Sequence, residues 1–427
     1  MEPKRLMSEK EARRFHLLEL VGKGSMTLVK AAQLMEVSYR HAKRLKRKWA
    51  GGEPSALAHG NRGRRPPNRV ADSTRRAIVD LAATKYQDFN DTHFTEMLAY
   101  EEDIHLSRET VRQTLRAAGI APKRKRRPPQ HRSRRPRKPQ EGYMVIWDGS
   151  PHRWFGPQLE PCCLMLCLDD ATGQILAANF QPQESSQGYL LLLKDMISRY
   201  GIPLSVYQDC HGIHRRNDDH WSLQEQLAGK RDPTQVGLAL ENLAIHPIFA
   251  HSPQAKGRIE RAFDTLQDRL IPEMRLRGIT TIPEANRFLK KGYIRKYNRH
   301  FALPAQEAQP AWRKLPQNLD LDRILSFRYY ATVANDNTAR LGGIVINIPP
   351  GPAKRSYAKT KVEVRQLLDG SWRVYYQNRL IAKHPSTVLN EPIKTLRRRK
   401  HGPKGAQESL WVYLSSSENI PSILPPP

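Results

Sequence analysis

Three acidic residues stand where metal-dependent phosphodiester chemistry would need them. Asp148 closes the apolar run Tyr143 to Trp147, and Asp209 closes the run that begins at Ile202. Glu260 lies in SPQAKGRIERAF, residues 252–263, a stretch that reads as the start of a helix. Two strand-end carboxylates and one helical carboxylate converging on a point would hold two divalent ions, Mg²⁺ or Mn²⁺. Hard cations take oxygen ligands and keep positions open for phosphate and water. A pair of them about 3.5–4 Å apart activates the attacking oxygen and stabilises the leaving one in an in-line displacement. Attack by water is hydrolysis, and attack by a hydroxyl exchanges one phosphodiester for another, so no ATP is called for, and the sequence shows no glycine loop to cradle one.

Rival groups have simpler explanations. Asp169 and Asp170 precede the tight turn ATG, where aspartate is favoured for local backbone bonding. Asp218 and Asp219 sit in the polar stretch HRRNDDH, and His211 either caps a turn or meets DNA. Glu241 and Asp264 remain within reach as alternatives to Glu260. Cys162, Cys163, Cys167 and Cys210 lack the paired spacing of zinc ligands, and CCLMLCLDD reads as buried strand, so these are expected to be core thiols.

The elements that must position the triad can be read around it. YMVIWD, CCLMLCLDD and QILAANFQ suggest a three-stranded antiparallel meander. Ser186 to Tyr200 has leucines at helical spacing, IPLSVYQD is a fourth strand and AIHPIF a fifth. Strand, strand, strand, helix, strand is the order of a ribonuclease-H-like α/β fold, in which the first and fourth strands lie side by side and parallel. Asp148 and Asp209 then become neighbours, and the helix from about Gln254 brings Glu260 over the sheet edge.

The flanks carry the charge. Lys and Arg total 71 against 42 Asp and Glu, a formal net charge of +29, which favours a polyphosphate partner through counterion release. No apolar run is long enough to span a bilayer and the N-terminus lacks the apolar core of an export signal, so a reducing cytoplasm and no membrane are expected. Thr27 and Ser38 are candidate caps for two short helices joined by a turn at Glu36 and Val37. On the second, Ala42, Leu45 and Trp49 recur at core spacing while Arg40, Lys43, Arg44 and Arg47 form a basic stripe, the geometry of a helix-turn-helix reading a major groove. The linker GNRGRRPPNR carries Arg64 and Arg65, which suit a minor groove. A second such unit follows, with helices expected over Ser73–Thr84, Asp91–Ala99 and Ser107–Ala118. Its last helix would bury Val111, Leu115 and Ala118 and present Arg108, Arg112 and Arg116. APKRKRRPPQHRSRRPRKPQ, with Arg124, Lys125 and Arg126, has no acid and would lie along a duplex.

Residues 282–300 look helical and end in a basic amphipathic segment expected to pack on the core. Farther on, VEVRQLL, the Asp369-Gly370 turn, WRVYYQ and RLIAKH suggest hairpins of a small all-β barrel. The expected organisation is therefore multidomain: a helix-turn-helix unit (1–59), an Arg/Gly/Pro linker (60–70), a second helical unit (71–120), a basic linker (121–140), the catalytic core (141–302), the barrel (317–395) and a basic, then disordered, tail (396–427).

DGSPHRWF, YQDCHGIHR and HSPQAKGRIERAFDTLQDRL, in this order, resemble the three catalytic motifs of the integrase-like DDE transposases of bacterial insertion sequences. The resemblance spans roughly residues 25–400. It implies that Asp148, Asp209 and Glu260 are the catalytic metal ligands, that Lys256 and Arg258 contact the DNA end, and that the barrel is an accessory DNA-contacting module. The activity implied is cleavage of the element's ends followed by joining of the 3′-hydroxyl to target DNA. Its partners are double-stranded DNA and further copies of the chain. The retroviral relatives carry an N-terminal zinc-binding module; here two helical units stand in its place. Two competing readings are a DNA-binding regulator derived from a transposase and a ribonuclease-H-like nuclease that only hydrolyses. The intact triad argues against the first and the tandem recognition units against the second.

Overall fold

The computed structural model of the chain describes residues 8–50, 52, 54–58, 69–124, 128, 135–216, 221, 223–250 and 256–387. It forms two compact units, Met1–Asp80 and Leu81–Pro427. Arg64, Arg65, Lys125, Arg126, Asp218, Asp219 and the 396–427 tail lie outside the described residues.

In the first unit α1 (Glu9–Gly22), α2 (Leu28–Leu34) and α3 (Tyr39–Trp49) surround one small core that includes Leu18, Ala31, Ala32, Ala42 and Leu45. Local chemistry sets the boundaries. Ser8 and Glu11 form a reciprocal capping box, Thr27 Oγ1 accepts from the Lys30 N–H, and Ser38 Oγ accepts from the His41 N–H. Between α2 and α3 the chain reverses at Glu36, whose φ of 56° is left-handed. Arg40, Lys43, Arg44 and Arg47 all lie on the exposed face of α3.

α4 (Asp72–Ala83) contains the boundary between the units. After it come α5 (Asp91–Glu101), capped by Asn90, and α6 (Arg108–Ala117), capped by Ser107. The buried side of α6 is Val111, Thr114 and Leu115; Ala118, expected in that core, is instead the exposed C-cap, because the helix ends one residue before it.

The first half of the second unit's sheet structure is a five-stranded mixed sheet: β1 (Met144–His152), β2 (Cys162–Asp169), β3 (Ile175–Gln181), then α7 (Ser186–Tyr200), β4 (Ser205–Gln208), α8 (Leu223–Ala228), α9 (Gln235–Asn242) and β5 (His246–Phe249). The strand order is β3-β2-β1-β4-β5. β1, β2 and β3 pair antiparallel, whereas β1 with β4 and β4 with β5 pair parallel. This is the ribonuclease-H-like order expected from the sequence. Helices cover both faces, and β2 shows it residue by residue. Cys163, Met165 and Cys167 point into a core with α7 and α9, while Cys162, Leu164, Leu166 and Leu168 point into one with the long helix described next. A strand covered on both sides loses its polar alternation, hence CCLMLCLD. α7 approaches β2 so closely that a Cβ on Gly188 would lie 2.1 Å from the Met165 sulfur.

α10 (Gly257–Leu276) crosses the second face, followed by α11 (Ile282–Phe288), a π-helical turn over Leu289–Tyr293, and α12 (Ile294–Phe301). Two side-chain amides from this region complete the edge strand β3. Asn286 accepts from the Phe180 N–H at 2.6 Å and donates to its carbonyl at 3.1 Å; Asn298 does the same at Ile175, at 2.8 and 2.9 Å. The α5 side of the helical segment is fastened to α10. His93 and Lys296 meet the buried Glu273 at 3.1 and 2.9 Å, Arg269 forks onto Glu96, and Arg275 forks onto Asp88.

After α13 (Leu321–Ile324), the strands β6 (Phe327–Thr332), β7 (Thr338–Leu341), β8 (Ile344–Asn347), β9 (Lys361–Gln366), β10 (Trp372–Tyr376) and β11 (Arg379–His384) form two separate sheets, β11-β10-β9-β6 and β7-β8. Three expected strands match β9, β10 and β11; β6, β7 and β8 were not foreseen. Phe327, Val364, Trp372 and Val374 share one hydrophobic core with α7 and α9, and the Gln235 side chain on α9 bonds both the N–H and the carbonyl of Arg328.

Candidate active site

The parallel strands decide where a site can form. β1 and β4 pair only as far as Ile146 and Tyr207, and β4 ends at Gln208. β1 itself runs on to His152, paired with β2 alone, so Asp148 lies inside a strand rather than at its end as the apolar run suggested. Asp148 therefore stands beside the gap that opens where its parallel neighbour stops, and Asp209 is the first residue past that stop. Open α/β sheets bind ligands in such a crevice, outside the carboxyl ends of the strands.

Into this gap comes Lys256, immediately before α10. Its Nζ lies 3.1 Å from Asp148 Oδ1 and 3.0 Å from Asp209 Oδ2, and its side chain is 10% exposed. Burial pushes the Asp148 carboxyl up, with Asp209 and Glu184 adding to the effect against the pull of Lys256. Burial also opposes the charge on Asp209, but the His211 N–H and Lys256 outweigh it and hold this carboxyl low. Asp148 and Asp209 are thus close enough to share one cation, and their hard oxygen donors fit a divalent metal ion.

The surrounding wall is aromatic. Trp147 Nε1 donates to Gln208 Oε1 at 3.0 Å, His214 stacks on Trp147 with ring centres 5.7 Å apart, and Tyr189 meets the His214 ring edge-on at 4.4 Å. His214 Nε2 is 3.8 Å from Asp209 Oδ1, and burial lowers this imidazole to about 3, so it is neutral. Tyr189 donates to Glu184 Oε1 at 2.5 Å. Glu184 reaches the Asp148 side because position 149 is glycine: a Cβ there would lie 2.9 Å from Glu184 Cδ and 3.0 Å from Cys163 Sγ.

Glu260 is on the first turn of α10 and exposed. Among the described residues no group of three His, Cys, Asp or Glu side chains could hold a metal ion. The structure joins Asp148 to Asp209 and leaves Glu260 outside that pair. Of its rivals, Glu241 pairs with Lys230 at 2.9 Å, and Asp264 lines a cleft of about 1080 Å³ between α6 and α10.

Asp169 accepts from the Gly142 N–H, the Thr172 N–H and the Thr172 hydroxyl at 2.8–2.9 Å. Asp170 is held by Arg135, by Arg258 and by the Lys138 N–H. Arg258 is thereby occupied in tying the end of the basic linker to the core. Arg116 is likewise engaged with Asp91, and Arg112 forks onto Glu109, whereas Arg108 and Arg124 are exposed beside the α6–α10 cleft. His211 accepts from the Ile213 N–H at 3.4 Å, the turn-capping alternative. Cys162, Cys163 and Cys167 are buried free thiols, the first two pushed up by burial to about 11 and about 12.

Sequence reasoning missed Glu184 and His214, yet the strand order holds the signal. β3 and β1 are both antiparallel to β2, so β3 ends on the same side of the sheet as β1, and the residues just after it arrive beside Asp148. The same holds for residues after β4, which include His214.

Relatives decide the family. A protein of Sinorhizobium fredii named as transposase y4bF is 36% identical over 318 residues, which cover 74% of this chain and 67% of its own. The chain belongs to the insertion-sequence transposases. Another relative, the transposase for insertion sequence IS1202 of Streptococcus pneumoniae, is 29% identical across 96% of this chain and 95% of its own length. No model of a known protein family matches. Among solved structures, a chain of the simian T-cell lymphotropic virus intasome in complex with PP2A regulatory subunit B56 gamma aligns over 74% of this transposase and 99% of itself, with 14% identity and a TM-score of 0.30. The magnesium complex of the HTLV-2 integrase catalytic core aligns over 35% and 83%, with 14% identity and a TM-score of 0.24. Membership of the transposases makes the chain an enzyme. No described helix is long and apolar enough to cross a membrane.

Proposed function

We propose that this transposase binds the ends of its own mobile element, cleaves them and joins the freed 3′-hydroxyl to target DNA, with Asp148, Asp209 and Glu260 as metal ligands. The observation that carries the reading is the pair of carboxylates from adjacent parallel strands, both within 3.1 Å of one buried cation. Bound Mg²⁺ or Mn²⁺, two ions in the full site, would supply a nucleophile at neutral pH and neutralise charge on the displaced oxygen. In the first step water's oxygen bonds to phosphorus and the bond to the 3′ oxygen breaks, leaving a 3′-hydroxyl. In the second that hydroxyl attacks a target phosphodiester, whose own 3′ oxygen leaves. Asp148 and Asp209 would hold the ions, whose charge would favour a phosphate beside them. The neutral His214, stacked on Trp147, keeps Asp209 from turning away.

Recognition falls to the basic side chains of the N-terminal third. Arg40, Lys43, Arg44 and Arg47 on α3 form the major-groove face, Arg64 and Arg65 a minor-groove arm, and Arg108 and Arg112 on α6, with Arg124, Lys125 and Arg126, a second contact. Joining two ends at one target calls for at least two copies on the DNA.

The test is a labelled terminal-repeat duplex incubated with the protein and Mg²⁺ or Mn²⁺. Joining to a second duplex, lost in Asp148→Asn, Asp209→Asn and Glu260→Gln, is the expected result. Tight binding without metal-dependent cutting would leave a regulator, and cutting without joining a nuclease.

A further inference from the structure

Lys256 is placed as no mere DNA contact needs to be. Its side chain is nine-tenths buried, and its ammonium is shared almost equally between Asp148 at 3.1 Å and Asp209 at 3.0 Å. Burial works against a charged lysine, yet the two carboxylates prevail and keep Lys256 above the ordinary lysine range. Without a cation between them, two half-buried carboxylates this close would repel each other.

We propose that Lys256 is a built-in counter-ion: in the metal-free transposase its ammonium fills the position of a divalent cation between Asp148 and Asp209, and metal binding is an exchange that drives it out. The proposal rests on reading those two residues as metal ligands. The stem suits the task, because lysine is a compact charge on a flexible four-carbon chain with no forked geometry to lock it in place. Its position suits it too. Lys256 immediately precedes α10, and Glu260 is on the helix's first turn, exposed and outside the aspartate pair. Withdrawal of Lys256 frees that turn to bring Glu260 inward. The displaced ammonium remains at the rim, where it can pair with a DNA phosphate. One residue thus holds the empty site together and then meets the substrate.

The test uses the full chain without DNA. Mn²⁺ is titrated and the free ion counted by electron paramagnetic resonance, for wild type, Lys256→Met, Lys256→Arg and Asp148→Asn. Lys256→Met should bind Mn²⁺ about tenfold more tightly, melt at a lower temperature when metal-free, and recover on saturation with Mn²⁺; Lys256→Arg, whose fork locks onto carboxylates, should bind Mn²⁺ more weakly than wild type. A folded Lys256→Met that binds no tighter than wild type overturns the exchange. If the Met variant is unfolded without metal, refolding on Mn²⁺ supports the proposal, and failure to refold at saturating Mn²⁺ overturns it. Asp148→Asn separates the two readings. If it binds Mn²⁺ as wild type does, the ligand assignment fails and the exchange with it. If it loses binding while Lys256→Met gains none, only the exchange fails.

Discussion

Two pairs of aspartates sit at opposite ends of one sheet and have opposite surroundings. Asp169 and Asp170 close β2, where backbone N–H groups, a threonine hydroxyl and two arginines satisfy them. Asp148 and Asp209 lie where β1 and β4 part, and apart from one backbone N–H each and the neutral His214 ring beside Asp209 they face a single lysine. Donors fixed by the fold make a carboxylate structural. A flexible cation makes it exchangeable. Under the proposed assignment, the difference explains how four strand-associated aspartates of similar sequence setting come to hold a fold together in one place and to offer ligands in another.

The contrast can be broken most severely by exchanging roles. Asp148→Asn and Asp209→Asn should each reduce joining of labelled element ends to background; the unfolding midpoint should hold or rise for Asp148→Asn, whose charge burial disfavours, and fall for Asp209→Asn, whose charge the His211 N–H and Lys256 stabilise. Asp170→Ala should do the reverse: it strands two arginines, should cost about 3 kcal/mol in denaturant unfolding, and should leave Mn²⁺ binding of the folded fraction intact. Gly149→Ala should fall between them. Its methyl group meets Glu184 and Cys163, so a loss of about 1–3 kcal/mol together with weaker joining is expected; normal values for both would remove Glu184 from the site. Among the cations the same division applies with the smallest effect. Arg44→Ala on exposed α3 should lower the slope of log affinity against log salt by about 1, whereas Arg258→Ala should leave that slope unchanged and lower the melting temperature.

Much of this was legible in the sequence, and the reason is locality. The strand order, the helix Ser186–Tyr200 and the caps Thr27, Ser38 and Ser107 depend on neighbours within a few residues, and all are present. The adjacency of Asp148 and Asp209 follows from topology alone. What could not be read was the partner of each charge. Arg258 meets Asp170, Arg116 meets Asp91 and Lys256 meets both aspartates, pairings that exist only once distant segments pack. Helical periodicity marks α6 as having a basic face but does not say that Arg112 is answered by Glu109 and Arg116 by Asp91. Glu260 shows the same limit from the other side: its motif singles it out, while the packed chain leaves it on an exposed turn outside the aspartate pair. The C-terminal strands followed suit, with alternation revealing β9 to β11 but not that their core would be shared with α7 and α9.

The paired amides of Asn286 and Asn298 have a consequence for assembly. An edge strand with free backbone groups is a template on which another chain can add a strand. On β3 two of those positions are already taken, at Phe180 and Ile175, by side chains from the chain's own helical segment. Under the proposed assembly on DNA, sheet extension between copies along that border is thereby hindered. An edge occupied in this way is less able to adhere to its own kind in solution.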